Sequence, residues 1–256
     1  MNVRFLRFPI GLVALALVLA ACGKELDPSP TSAPTVPRDE AAPAGLTVGL
    51  LAERIAAGWE GIDRYRAVTT TQSSGSPAAA SAATETIEEA VLPDQRRQVV
   101  SVNGVEQSEI VAASGSIYGR GMSLPGIEQP NRDPDVWITI NGNVLGPDNA
   151  FSAFYQSLLL PIEPPYSALD DADRARPVEE LEVVDVTGRA CQQYRIVDTT
   201  LTGERLEVVV ALAESGLVCS IETTSGNSFT STVYTYDQPT EIALPASPVP
   251  APSENG

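Results

Sequence analysis

The chain has no histidine and a single lysine, Lys24. Without imidazole there is no Ser-His-Asp or Cys-His catalysis, no His-ligated zinc and no imidazole pH switch. Positive charge is scarce as well: 16 Lys and Arg stand against 33 Asp and Glu, a net charge of −17. That balance argues against a nucleic-acid partner, which would need clustered Lys and Arg. Aromatic residues make up only 5% of the chain, although 43% apolar content still supplies a core. The sequence has no G-x-S-x-G, no P-loop and no G-x-G-x-x-G. Carboxylates are plentiful, but no spacing singles out a pair for glycoside hydrolysis. The expectation is a protein that is not an enzyme and carries no cofactor.

What is present begins at the N-terminus. Arg4 and Arg7 precede an apolar run from Ile10 to Ala21 that is too short to span a bilayer comfortably and ends in small residues. Residues 1–21 therefore read as an export signal. The sequence Leu19-Ala20-Ala21-Cys22 matches a bacterial lipobox, in which the signal is cut before the cysteine and Cys22 carries the lipid. The alternative is a spanning anchor with an incidental cysteine. Each buried CH₂ of an acyl chain contributes about 0.8 kcal/mol, so a multiply acylated Cys22 would hold the protein on the extracytoplasmic face of a membrane. Residues 1–21 carry two arginines and no acid, so their removal leaves a net charge of −19. Charge of that sign is repelled by anionic headgroups and also keeps a protein soluble outside the cell.

Residues 22–45 follow as a tether holding Pro28, Pro30, Pro34, Pro37 and Pro43, extended at up to about 3.1 Å per residue. Residues 246–256 read as a disordered tail with Pro248, Pro250 and Pro252. One domain, 46–245, lies between them.

Within it, Thr47 is placed to cap a helix whose apolar residues Val48, Leu51, Ala52, Ile55, Trp59 and Ile62 share one face, with Gly58 and Gly61 marking where it frays. Strands are expected at 65–74, 85–92, 97–102, 106–112, from 117, and at 136–140. Asn103-Gly104 forms the strongest hairpin signal, and residues 74–83 form a low-complexity loop. A second helix is opened by Pro147-Asp148-Asn149 and closed by Pro161. Residues 161–177 read as irregular. A meander then runs through 178–186, 190–198, 205–213, 217–224 and 228–236 to a last short strand at 241–244. Two helices set in a long antiparallel meander make the class α+β.

The lipobox, the tether, a helix running into Tyr65-Arg66, the meander and the closing segment Asp237–Pro245 occur in one order. That order resembles the LolA/LolB-type lipoprotein carriers and the LppX/LprG-type lipoproteins. The resemblance implies a strongly curved antiparallel β-sheet, a half-barrel, with amphipathic helices packed on its concave side around an apolar cavity for acyl chains. RseB-like regulators share the fold. The resemblance thus implies a membrane-anchored lipoprotein that binds a lipid or other amphiphile, for lipid transport or envelope maintenance. Its alternative is a sensory lipoprotein with a protein partner and no transported ligand.

Three sets of residues bear on these readings. Cys191 and Cys219 form an even pair in an oxidising compartment, which favours a disulfide. Yet they fall on strands that both flank 205–213, and next-nearest strands lie about 9.5 Å apart, beyond the roughly 7 Å a bridge spans. Either the bridge sits at a bulge or strand end, or both are buried thiols. The stripe Phe151, Phe154, Tyr155, Leu158 and Leu159 is that of a core helix or of a helix lining or gating a cavity. Met122, Leu124 and Ile127 in the proline-rich loop 121–135 pose the same choice between ordinary loop and lid. Asp133 and Asp135, and Asp170, Asp171 and Asp173, lack the ligand spacing of a Ca²⁺ loop, so no metal is expected.

Overall fold

The computed structural model describes residues 45–73, 83–127, 133–140, 151–200, 203–238 and 241–250. The signal, Cys22, nearly all of the tether and the low-complexity loop, the opening Pro147-Asp148-Asn149 and residues 251–256 lie outside the described residues.

The first helix, α1 (Val48–Trp59), starts where Thr47 accepts a hydrogen bond from the Leu50 N–H at 3.4 Å, and it buries Val48, Leu51, Ala52, Ile55 and Trp59. Its entry is pinned to the distant segment 176–178 by Val48 N–H to the Arg176 carbonyl and Val178 N–H to the Leu46 carbonyl. The helix ends at Trp59, between Gly58 and Gly61, where the sequence reading placed its fraying. Gly58 also lets the helix end approach a strand turn closely: a Cβ there would stand 2.3 Å from the Gly216 carbonyl carbon.

Two meanders follow. The first is β1 (Arg64–Ser73), β2 (Ala83–Val91), β3 (Gln95–Val102), β4 (Val105–Ala113), β5 (Ser116–Gly121) and β6 (Ile138–Ile140). The second is β7 (Glu179–Val186), β8 (Arg189–Thr199), β9 (Arg205–Leu212), β10 (Val218–Ser225) and β11 (Ser228–Tyr236). Between them lie α2 (Ser152–Leu158) and α3 (Asp171–Arg174). The meanders join because β11 pairs with β1, Tyr65 opposite Tyr236 through Ser73 opposite Ser228. Among the described residues the result, with β12 (Val249–Pro250) at one edge, is a 12-stranded open, curved sheet in the order β12-β6-β5-β4-β3-β2-β1-β11-β10-β9-β8-β7. All neighbours are antiparallel except β12 (Val249–Pro250), which runs parallel to β6.

Two expectations need correction. Residues 241–244 form no strand; the closing strand is β12, drawn from residues expected in the tail, with Val249 N–H bonded to the Trp137 carbonyl at 2.9 Å. The irregular stretch also holds α3, capped by Asp170 accepting from Asp173 N–H. Asp173 is itself paired with Arg176.

The registers fix the two faces. Through the cross-strand pairs, Ile140, Ile117, Ala112, Arg96, Ala90, Tyr65 and Tyr236 share one side with Ile110, Gln98, Glu88, Ala67, Tyr234, Ile221, Val210 and Tyr194. Both helices dock on this inward face. Helix α1 packs on Tyr194, Ile196, Val208, Val210 and Ile221 at one end. Helix α2 packs through Tyr155 and Leu158 on Ile110, Ile117, Ile138 and Ile140 at the other. The outward face carries a charge ladder: Arg66–Glu89 at 3.8 Å, Glu89–Arg97 at 2.8 Å, Arg97–Glu109 at 2.5 Å and Glu109–Arg120 at 2.6 Å. Arg120 also lies 5.3 Å over Trp137.

In the structure Cys191 and Cys219 are joined, with Cα atoms 6.5 Å apart. Two irregularities bring them together. The register shifts between Val218 and Ser220, which makes Cys219 a bulge residue. Cys191 lies one residue beyond Gln192, the partner of Leu212 at the end of β9. Small Ala211 and Ala213 pack against the bridge. A bridge closing this span is worth roughly 3–4 kcal/mol. Denatured, non-reduced protein from residues 23–256 should titrate no free thiol, and the Cys191→Ala/Cys219→Ala variant should lose about 3 kcal/mol in denaturant unfolding. Two titratable thiols in the non-reduced sample would contradict the bridge.

Candidate functional site

Between the two helices no regular structure among the described residues covers the inward face, and a cavity of about 350 Å³ occupies the gap. Its floor is the sheet centre: Tyr65, Ala67 and Thr69 of β1, Glu88 of β2, Arg96 of β3, Ile221 and Thr223 of β10, and Thr232 and Tyr234 of β11. Trp59 at the end of α1 and Ser157 at the end of α2 form opposite sides, and residues 160–168 roof it. Pro161, Pro164 and Pro165 explain why the roof has no regular structure: proline removes a donor and bars continuation of α2. The roof is held by Ile162 N–H to the Pro93 carbonyl at 2.8 Å and by buried Tyr166, which packs into the α1 core.

The floor contains buried charge. Glu88 and Arg96 are each only 7% exposed. Both carboxylate oxygens of Glu88 are occupied, one accepting from the Tyr65 hydroxyl and the other from Gln98 Nε2 at 2.7 Å. Arg96 Nη2 donates to the Leu160 carbonyl at 2.9 Å, tying strand β3 to the roof. Thr69 and Thr232 share a hydrogen bond at 2.9 Å across β1 and β11. The aromatic side chains stack around this floor, with Trp59 5.3 Å from Tyr65 and Tyr65 6.0 Å from Tyr234 between ring centres.

Burial pushes the Tyr65 phenol well above its usual range, and the neighbouring Glu88 carboxylate pushes it further. Burial likewise raises Tyr166, Tyr234 and Tyr236. All four stay protonated at neutral pH, so these phenols are hydrogen-bond donors and not bases. Among the described residues no cluster of three or more Cys, Asp or Glu is placed to hold a metal ion, and no helix is long and apolar enough to cross a membrane.

None of the stripe or loop residues singled out from sequence lines this cavity. Tyr155, Leu158 and Leu124 are buried in the α2 core, with Phe151, Phe154 and Ile127 packed against its margin. Leu159 and Met122 are exposed. The cavity residues went unnoticed because they sit on five strands and converge only through register. One signal was available: alternation along β2 and β3 puts Glu88, Arg96 and Gln98 in phase with inward alanines and isoleucines, where polar residues are out of place.

The four raised phenols have a consequence at high pH. Each is protonated in the folded state at a pH where the unfolded chain, at about pH 10, begins to lose that proton. The folded state then binds more protons than the unfolded one, so stability falls as pH rises, by up to about 1.4 kcal/mol per pH unit for each group. The thermal midpoint should therefore be flat from neutral pH to about pH 9 and drop steeply beyond pH 10. Tyr166→Phe should shallow that drop; an unchanged slope would remove Tyr166 from the account.

No family model matches the chain, and no curated protein matches it. Among solved structures it is similar to the lipoprotein LppX of Mycobacterium tuberculosis, at 8% identity and a TM-score of 0.45 over 76% of this chain and 97% of that one. It is similar to LprF from Mycobacterium bovis, at 10% identity and a TM-score of 0.44 over 78% and 97%. It is also similar to the Pseudomonas aeruginosa MucA/MucB complex, at 13% identity and a TM-score of 0.38 over 73% of this chain and 55% of that one.

Proposed function

We propose that this protein is an envelope lipoprotein, tethered to a membrane through acylated Cys22, whose cavity binds a lipid or other amphiphile. The observation that carries the reading is the cavity of about 350 Å³ left between two helices on one face of the sheet. Its size lies at the lower end of the roughly 300–1,000 Å³ range of small-molecule pockets. Trp59, Tyr166, Tyr234, Ile162 and Ile221 give it apolar walls. Such walls hold an alkyl chain by burial at about 25 cal/mol per Å². We take the face that bears the helices as the concave one.

The covering role belongs to the segment after α2 and not to the α2 stripe itself. Tyr155 and Leu158 anchor the helix to the sheet, and the roof that follows is irregular. Exposed Leu160 belongs to both the roof and the cavity wall, which makes it an apolar lip at the mouth. The reading is of binding: Glu88, the buried carboxylate of the floor, is held by the Tyr65 hydroxyl and the Gln98 amide.

Mass spectrometry tests both halves. Protein purified from membranes of a bacterial host should carry acyl mass on Cys22, and the Cys22→Ala variant should carry none. Native spectra of residues 23–256, which retain every described element, should show an added mass that extracts into organic solvent as lipid. Bare protein, even after incubation with the host's lipid extract, would replace this reading with that of a protein-binding sensor.

A further inference from the structure

We propose that the amphiphile has a single alkyl chain and an anionic head, and that the head is held by Arg96. The proposal rests on the cavity being a binding site, and it deepens that reading by naming the ligand class.

Two atoms on the cavity-lining side chains lack partners: Arg96 Nε and Trp59 Nε1, each buried and without a hydrogen bond. Both are donors. Two nearby carboxylates already accept hydrogen bonds. Glu88 accepts from Tyr65 and Gln98, and Glu163 accepts from Ser167 at 2.8 Å. Arg96 also lines the cavity, so an occupant that meets its guanidinium does so best with acceptor oxygens.

Charge narrows the choice. Among the described residues the buried Arg96 guanidinium is hydrogen-bonded to a neutral carbonyl, that of Leu160, and no carboxylate forms an ion pair with it. A buried cation without a contacting anion is costly, and the cost is relieved when an anion arrives with matching geometry. Carboxylates and phosphates suit the planar guanidinium fork. Distant charges on this acidic chain are screened beyond about 8 Å at physiological salt, and the carboxylate that shares the floor, Glu88, is held by Tyr65 and Gln98. Arg96 lies on the floor beside Glu88, and exposed Leu160 is at the mouth. Volume sets the rest: a cavity near the lower limit for small ligands takes one chain and not the several of a diacyl or triacyl lipid.

Titration calorimetry on residues 23–256 with octanoate, nonanoate and decanoate, decyl phosphate, decanol, acetate and inorganic phosphate tests the assignment. Decanoate and decyl phosphate should bind roughly tenfold to a hundredfold more tightly than decanol, the worth of a charge-assisted hydrogen bond. Affinity should rise about fourfold for each methylene from octanoate to decanoate, and acetate and inorganic phosphate should bind far more weakly than either decyl anion. In Arg96→Gln the preference for decanoate over decanol should collapse towards unity while decanol binding is retained, and Arg96→Lys should restore part of it. Equal binding of decanoate and decanol to the unaltered protein would overturn the head-group assignment and leave the cavity reading standing. So would an equal loss of both in Arg96→Gln, which is the mark of a purely structural arginine. Acetate binding as tightly as decanoate would overturn the amphiphile. Failure of every alkyl probe to bind would overturn the cavity reading and this inference together.

Discussion

Pairing of β11 with β1 is the constraint on which the rest of the molecule depends. Each meander alone has an exposed edge there and half of an inward face. Setting Tyr65 against Tyr236 and Thr69 against Thr232 puts the inward residues of both meanders in one phase across the whole sheet. A slip of one residue would turn every side chain of one half to the opposite face. The Thr69–Thr232 hydrogen bond and the Trp59–Tyr65–Tyr236 aromatic cluster lie on this seam and fix the register from the inward side.

The same pairing creates the cavity. Helix α1 packs on the second meander and reaches the seam only with Trp59, and helix α2 packs on the first. The seam between them is too wide for either to close. The chain covers it with a proline-interrupted segment whose backbone forms no regular ladder. Arg96 reaches from β3 to the Leu160 carbonyl, so buried charge and roof are coupled. Glu88 is satisfied by neutral donors, which leaves Arg96 as the cation whose environment a ligand can change.

Much of the fold was legible because its signals are local. Asn103-Gly104 takes positive φ at both residues, the turn such a pair favours, and the strands either side pair Val102 with Val105. The strand limits of the second meander were read to within a residue or two for the same reason: turn residues and apolar alternation are neighbours in sequence. The features that escaped depend on distant parts of the chain. Gly58 reads locally as a helix end, and its close approach to Gly216 depends on the fold. Val249–Pro250 reads as tail because a proline-rich segment gives no hint that β6 offers it a partner. The stripe from Phe151 to Leu159 was legible as helical and apolar, with Tyr155 and Leu158 buried, but periodicity does not say which surface it meets. The cavity itself is a product of register, and only the out-of-place polarity of Glu88, Arg96 and Gln98 marked it.

The two tryptophans give the most direct test of the central claim, that an amphiphile occupies the space between the helices. Trp59 lines the cavity, whereas Trp137 lies on the opposite face beneath Arg120. Fluorescence of Trp137→Phe protein, which reports Trp59 alone, should be quenched in a saturable way by an alkyl carboxylate brominated along its chain. Fluorescence of Trp59→Phe protein, which reports Trp137, should not respond. Quenching of Trp137 to the same extent, or no quenching of Trp59 at a saturating concentration of the brominated ligand, would contradict the account.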